Sequence, residues 1–217
     1  MRLVSPTILL LALGISALLP SSANAAFVYS NFGPGNSYDT TLGHILGPDG
    51  FGNTFVEADK FIASGSGTLS QITLALGNIA GNTSITVELH ADAAGSIGSL
   101  LAVGSTSTGG PFGSTNPVSI ASMPSASIAS GTNYWVVVKS SAAGLNAWNF
   151  NNTSTLGSHG ISFDAGSTFN YATDTQGAFS VETASVNAVP EPSSMLLLAT
   201  GAFGLLFRRR NAVGLVK

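Results

Sequence analysis

Gly131-Thr132-Asn133-Tyr134-Trp135-Val136-Val137-Val138 decides the fold class. Gly-Thr-Asn supplies a turn. The five residues after it are aromatic or β-branched without a break, the pattern of a central strand. Working outward, Ile72, Leu74 and Leu76 alternate with Thr73 and Ala75, and Ile85, Val87 and Leu89 alternate with Thr86, Glu88 and His90. Each run predicts a half-buried antiparallel strand. Ala147-Trp148-Asn149-Phe150 puts two large aromatics on one face. Weaker strand signals lie at Phe27–Asn31, Phe55–Ile62, Leu100–Gly104, Val118–Ser122, Gly160–Phe163 and Ala178–Glu182. Turn clusters separate them: Gly77-Asn78, Gly81-Asn82, Gly95-Ser96, Gly109-Gly110-Pro111 and Gly144-Leu145-Asn146. The expectation is an all-β domain over 27–186, an antiparallel β-sandwich or jelly roll, with no amphipathic helix inside it.

Composition excludes several classes. The 217 residues contain no Cys, which removes disulfides, thiol catalysis and Cys-ligated metal sites. Seven basic residues against ten acidic ones argue against a nucleic-acid face. Only 8% of the chain is charged, and 30 serines and 19 threonines supply much of its polarity. The basic residues sit mostly at the ends. Between them only Lys60 and Lys139 face nine carboxylates, so the central domain is acidic.

The ends read as sorting segments. Arg2, the apolar run Ile8–Leu19 and the small-x-small pattern Ala23-Asn24-Ala25 predict a signal peptide over 1–25, with a helical apolar core, cleaved after Ala25 by signal peptidase following Sec export. At the other end, Val189-Pro190-Glu191-Pro192 is a stiff extended stretch. The apolar run 195–207 follows, then Arg208-Arg209-Arg210, which predicts a short single transmembrane helix with its basic end cytoplasmic. Thirteen helical residues span roughly 20 Å, less than the hydrocarbon core, and the arginines can snorkel to make up the difference.

Pro190-Glu191-Pro192, the apolar helix and the arginine cluster, in that order over 189–212, resemble the PEP-CTERM sorting signal of Gram-negative bacteria. The resemblance implies an inner-membrane precursor cut near Pro190–Pro192 by exosortase, a membrane protease-transpeptidase. It also implies delivery to the cell surface or extracellular matrix, in association with exopolysaccharide and biofilm. The seven residues after the arginines are a longer tail than many such signals carry. The central region also resembles the choice-of-anchor domains, R subgroup. The residues behind this are Gln71–Leu76, Ile85–Asp92, Gly95–Gly98 and the Gly-Thr-x-Tyr-Trp entry to 134–138. That family brings no catalytic residues.

Chemistry inside the domain is sparse. There is no G-x-S-x-G, and Gly157-Ser158-His159-Gly160 reads as a turn. His44, His90 and His159 lack the close spacing of a zinc site, and His90 belongs with Thr86, Glu88 and Asp92 on a solvated strand face. Asp39, Asp49, Glu57 and Asp59 form a weak calcium candidate. The G-x-G pairs lack a third glycine and no lysine follows Gly, so no phosphate loop is read. Sequons start at Asn82, Asn151 and Asn152, and the serines and threonines are candidate O-glycosylation positions. No cofactor and no enzymatic activity are expected. The expected function is structural or adhesive. The alternative is a lectin-like carbohydrate-binding module, with Trp135, Trp148, Tyr134 and Phe150 as stacking candidates, although a buried aromatic core explains the same four residues more economically.

Overall fold

The structure, a computed structural model, describes residues 26–124 and 126–184. The expected signal helix and transmembrane helix lie outside the described residues. Fourteen strands follow in chain order: β1 (Ala26–Ser30), β2 (Gly43–Pro48), β3 (Thr54–Ile62), β4 (Gly67–Leu74), β5 (Leu76–Gly81), β6 (Ser84–Ala93) and β7 (Ser96–Ser107). Then come β8 (Ser119–Ser122), β9 (Ser127–Ile128), β10 (Asn133–Ser140), β11 (Gly144–Asn149), β12 (Leu156–Ser162), β13 (Asn170–Thr175) and β14 (Phe179–Ala184). The only helical turn among the described residues is a 3-10 turn at Pro34–Asn36. The described region is therefore all-β, with antiparallel sheets consistent with a β-sandwich.

One sheet runs β1-β14-β4-β8, with β9 also on β4. The larger runs β5-β11-β2-β3-β10-β6-β7, with the β12–β13 hairpin attached to β3. Ala75 is the corner at which the chain leaves one sheet for the other. Alternation fills the interior as the sequence predicts. Leu74, Phe179 and Val181 from the small sheet pack with Leu46, Phe61, Ile85, Val87, Leu89, Val136, Val138 and Trp148 from the large one. Each such aliphatic side chain contributes about 1.5–3 kcal/mol by leaving water. β10 is central between β3 and β6. Its outward residues Trp135 and Val137 are buried as well, because the β12–β13 hairpin brings Phe169 over them to form a second small core with Val56 and Ala58. This accounts for the unbroken apolar run.

Three turn readings are corrected. Gly81-Asn82 is the expected turn, with Gly81 at φ 74° ending β5 and Asn82 Oδ1 accepting from Ser84 N, whereas Gly77-Asn78 lies in β5 and Gly144-Leu145-Asn146 opens β11. These glycines permit close backbone approach within a sheet. A Cβ on Gly144 would lie 2.0 Å from Asn82 O, and one on Gly77 would lie 2.8 Å from Phe112 Cα. The segment 157–160 belongs to β12. There Gly157 leaves room for the Gln176 side chain and Gly160 for the Tyr171 ring. β2, β9 and β13 carried no strand signal in the sequence. β13 is exposed along nearly its whole length, so neither of its faces shows apolar alternation.

Candidate functional site

Two groups of polar side chains gather on opposite faces of the large sheet. The first is interior. Glu57 and Asp59 share a face of β3 with Phe61, and His44 shares a face of β2 with Leu46, so all three point into the sandwich. β12 pairs with β3 so that His159 stands opposite Asp59. His159 Nδ1 donates to Asp59 Oδ1 at 2.9 Å, and Asp59 Oδ2 accepts the Gly177 N–H at 2.8 Å. His159 Nε2 lies 2.9 Å from Glu57 Oε2, an ion-pair distance without hydrogen-bond alignment. Glu57, Asp59 and His159 are each no more than 3% exposed.

Both nitrogens of His159 face carboxylates, so the doubly protonated ring satisfies the site. Burial works against that charge, but the hydrogen bond to Asp59 and the close Glu57 carboxylate outweigh it and raise the His159 pKa to about 9. Burial pushes Glu57 up to about 7 against the pull of His159. His44 stacks on His159, with centroids 3.9 Å apart and planes at 11°, and its Nε2 donates to Thr175 O at 2.9 Å. Burial, and then the charge on His159, lower its pKa, so a neutral imidazole lies on a cationic one.

His44, Asp59 and His159 place possible metal-ligand atoms within 4.8 Å of one another. Stacked rings, however, hold their in-plane lone pairs nearly parallel rather than convergent, and each imidazole nitrogen bonded here faces an oxygen acceptor. The arrangement fits a buried charge network better than a coordination sphere. The four calcium candidates do not gather. Asp39 closes its own turn on Thr41 and Leu42, and Asp49 closes its own on Phe51 and Asn53. These bonds lower both pKa values, chiefly through Thr41 N–H for Asp39 and the Asn53 side chain for Asp49. Alternation already puts Glu57 and Asp59 in phase with Phe61. That parity was the one sequence signal for burial, and only strand pairing supplies the histidines.

The second group lies on the outer face, in a cleft of about 300 Å³. Glu88 on β6 accepts from Lys139 Nζ on β10 at 2.8 Å and from His90 Nε2 at 2.9 Å. His90 Nδ1 meets Gly98 O at 3.0 Å. The bond from His90 leads those that hold the Glu88 pKa below its usual range. The expected solvated strand face is thus a half-enclosed row, with Glu88 13% and His90 14% exposed at their side chains. The β12–β13 loop walls it with Ser167 and Phe169, and β13 adds Tyr171. Tyr171 OH accepts the Ile97 N–H at 3.0 Å, and its ring leans on buried Trp135, whose Nε1 donates to Asp92 at 2.9 Å. Asp164 ties the loop by accepting from Thr168 N, Ser162 Oγ and Thr168 Oγ, and these bonds lower its pKa to about 2.

Of the proposed stacking aromatics, Trp135, Trp148 and Tyr134 are core residues and Phe150 is half-buried. Ala23, Ala25, Pro190, Glu191, Pro192 and Arg208–Arg210 lie outside the described residues. No curated protein matches the chain. Residues 188–210 match the PEP-CTERM protein-sorting motif. The motif implies processing by exosortase, a membrane protease, and with it export, a membrane-associated precursor and a cell-surface destination.

Proposed function

We propose that this chain is a non-enzymatic structural or adhesive protein of the cell surface or extracellular matrix, acting alongside exopolysaccharide in biofilm. The observation that carries the reading is the sorting motif at 188–210, which begins four residues after β14 ends at Ala184. The β-domain is thus the cargo and the motif its address. Export begins with the signal peptide 1–25, cleaved after Ala25. The run 195–207 with Arg208–Arg210 holds the precursor in the inner membrane until exosortase cuts near Pro190–Pro192.

His44 bonds a backbone carbonyl, His90 a carboxylate and a carbonyl, and His159 a carboxylate; none is paired with a hydroxyl nucleophile. The central region's likeness to choice-of-anchor domains agrees with this.

The test is fractionation of the native bacterium carrying wild type or Pro190→Ala/Glu191→Ala/Pro192→Ala. Wild type is expected at the surface or in the medium, and the variant uncut in the inner membrane. Processed variant at the surface would overturn the reading.

A further inference from the structure

The outer cleft has donors, acceptors and an aromatic wall that the sorting function does not use. Lys139 is one of the domain's two lysines, and the domain has no arginine. Its ammonium gives one hydrogen bond to Glu88, which leaves two N–H groups. Each Glu88 oxygen accepts one bond and has room for another. The Lys139 Nζ and Glu88 Oε1 atoms therefore present a donor and an acceptor side by side, 2.8 Å apart. Neighbouring hydroxyls of a sugar ring match this spacing, and each can donate and accept at once. Free anions fit less well, because Glu88 lies directly under the ammonium. Beside the pair stands an apolar wall: Tyr171 is 41% exposed and Phe169 stacks on it with centroids 6.4 Å apart. Buried Trp135 behind the wall and the Asp164 ties in the loop fix its position before any ligand arrives.

We infer that this cleft is a saccharide subsite that takes one neutral pyranose ring, with adjacent hydroxyls across Lys139 and Glu88 and an apolar ring face on Tyr171 and Phe169. The cleft's volume of about 300 Å³ is at the small end of ligand sites and suits one ring of a longer glycan. The inference deepens the proposed surface role and rests on it for its meaning, while binding itself is a property of the β-domain.

Saturation-transfer NMR on the full chain in mild detergent tests it. The probes are methyl glucoside, methyl galactoside, methyl mannoside, N-acetylglucosamine and glucuronate. At least one neutral pyranose is expected to receive saturation and glucuronate to receive less. Lys139→Met is expected to weaken that binding about tenfold or more, the loss of a charged hydrogen bond. Ser167→Trp, a change at an exposed loop position, fills the cleft and is expected to abolish binding while leaving the melting temperature in place. No transfer to any neutral pyranose on folded protein overturns the inference. So does transfer unchanged in Ser167→Trp, or transfer to glucuronate alone. Because no step of this assay involves sorting, its failure is separable from failure of the surface reading.

Discussion

Replacing Glu57 and His159 together by glutamine tests the buried network through proton linkage. The double variant Glu57→Gln/His159→Gln keeps side-chain size close to the original and removes the paired carboxyl and imidazole, both of whose pKa values rise on folding. His159 rises from 6.5 to about 9. Its contribution is fully present below pH 6.5 and is lost as pH passes 9. At about 1.4 kcal/mol per tenfold change, that contribution is about 3 kcal/mol. Glu57 rises from 4.5 to about 7, so the folded state keeps a proton that the unfolded chain has released. Stability falls as pH climbs through that window too, with roughly 1 kcal/mol of the fall left above pH 6. Wild type should therefore lose roughly 4 kcal/mol, relative to the double variant, between pH 6 and pH 10. Urea denaturation of residues 26–184 reads this directly, with fluorescence from the two buried tryptophans, Trp135 and Trp148, as the signal. A gap between wild type and variant that stays constant within about 0.5 kcal/mol across this range, or that moves in favour of wild type as pH rises, would refute the protonated His159 between two carboxylates.

Other expectations are local. Gly177→Ala should destabilise by about 1–3 kcal/mol in the same urea assay, because its Cβ would lie 2.3 Å from the Trp148 ring and the ring has nowhere to go. Asn31→Ala removes the buried amide that donates to Gly177 O and accepts from Phe179 N, both at 2.8 Å. Two orphaned backbone groups should cost about 3 kcal/mol in thermal or urea unfolding. Asp164→Ala should speed hydrogen exchange at Thr168 and weaken saccharide binding, while exchange at Leu89 in β6 stays unchanged; equal acceleration at both would show that Asp164 does not act locally.

Legibility in the sequence followed burial. Ile85-Val87-Leu89 and Tyr134–Val138 were readable because one face, or both, must be apolar wherever a sheet is covered. β13 was not, because the hairpin it completes is exposed and is held by β12 through backbone pairing. The glycines at 77, 144, 157 and 160 misled for a related reason: glycine marks a turn and a close approach with the same letter. At the sites, the Glu88 and His90 face was visible by alternation, but its enclosure depends on a loop about 75 residues away in sequence. The buried network depends on β2 and β12 both reaching β3, which no local pattern encodes. The sorting motif was legible in full, since its information is carried by the order of residues and not by contacts.

The intact mass of the mature protein, recovered from the surface or the medium of the cell that makes it, is the decisive measurement for exosortase processing. The expected mature chain begins at Ala26, ends near Pro190–Pro192 and lacks Arg208–Arg210. A mature protein that still carries Arg208-Arg209-Arg210 would contradict it.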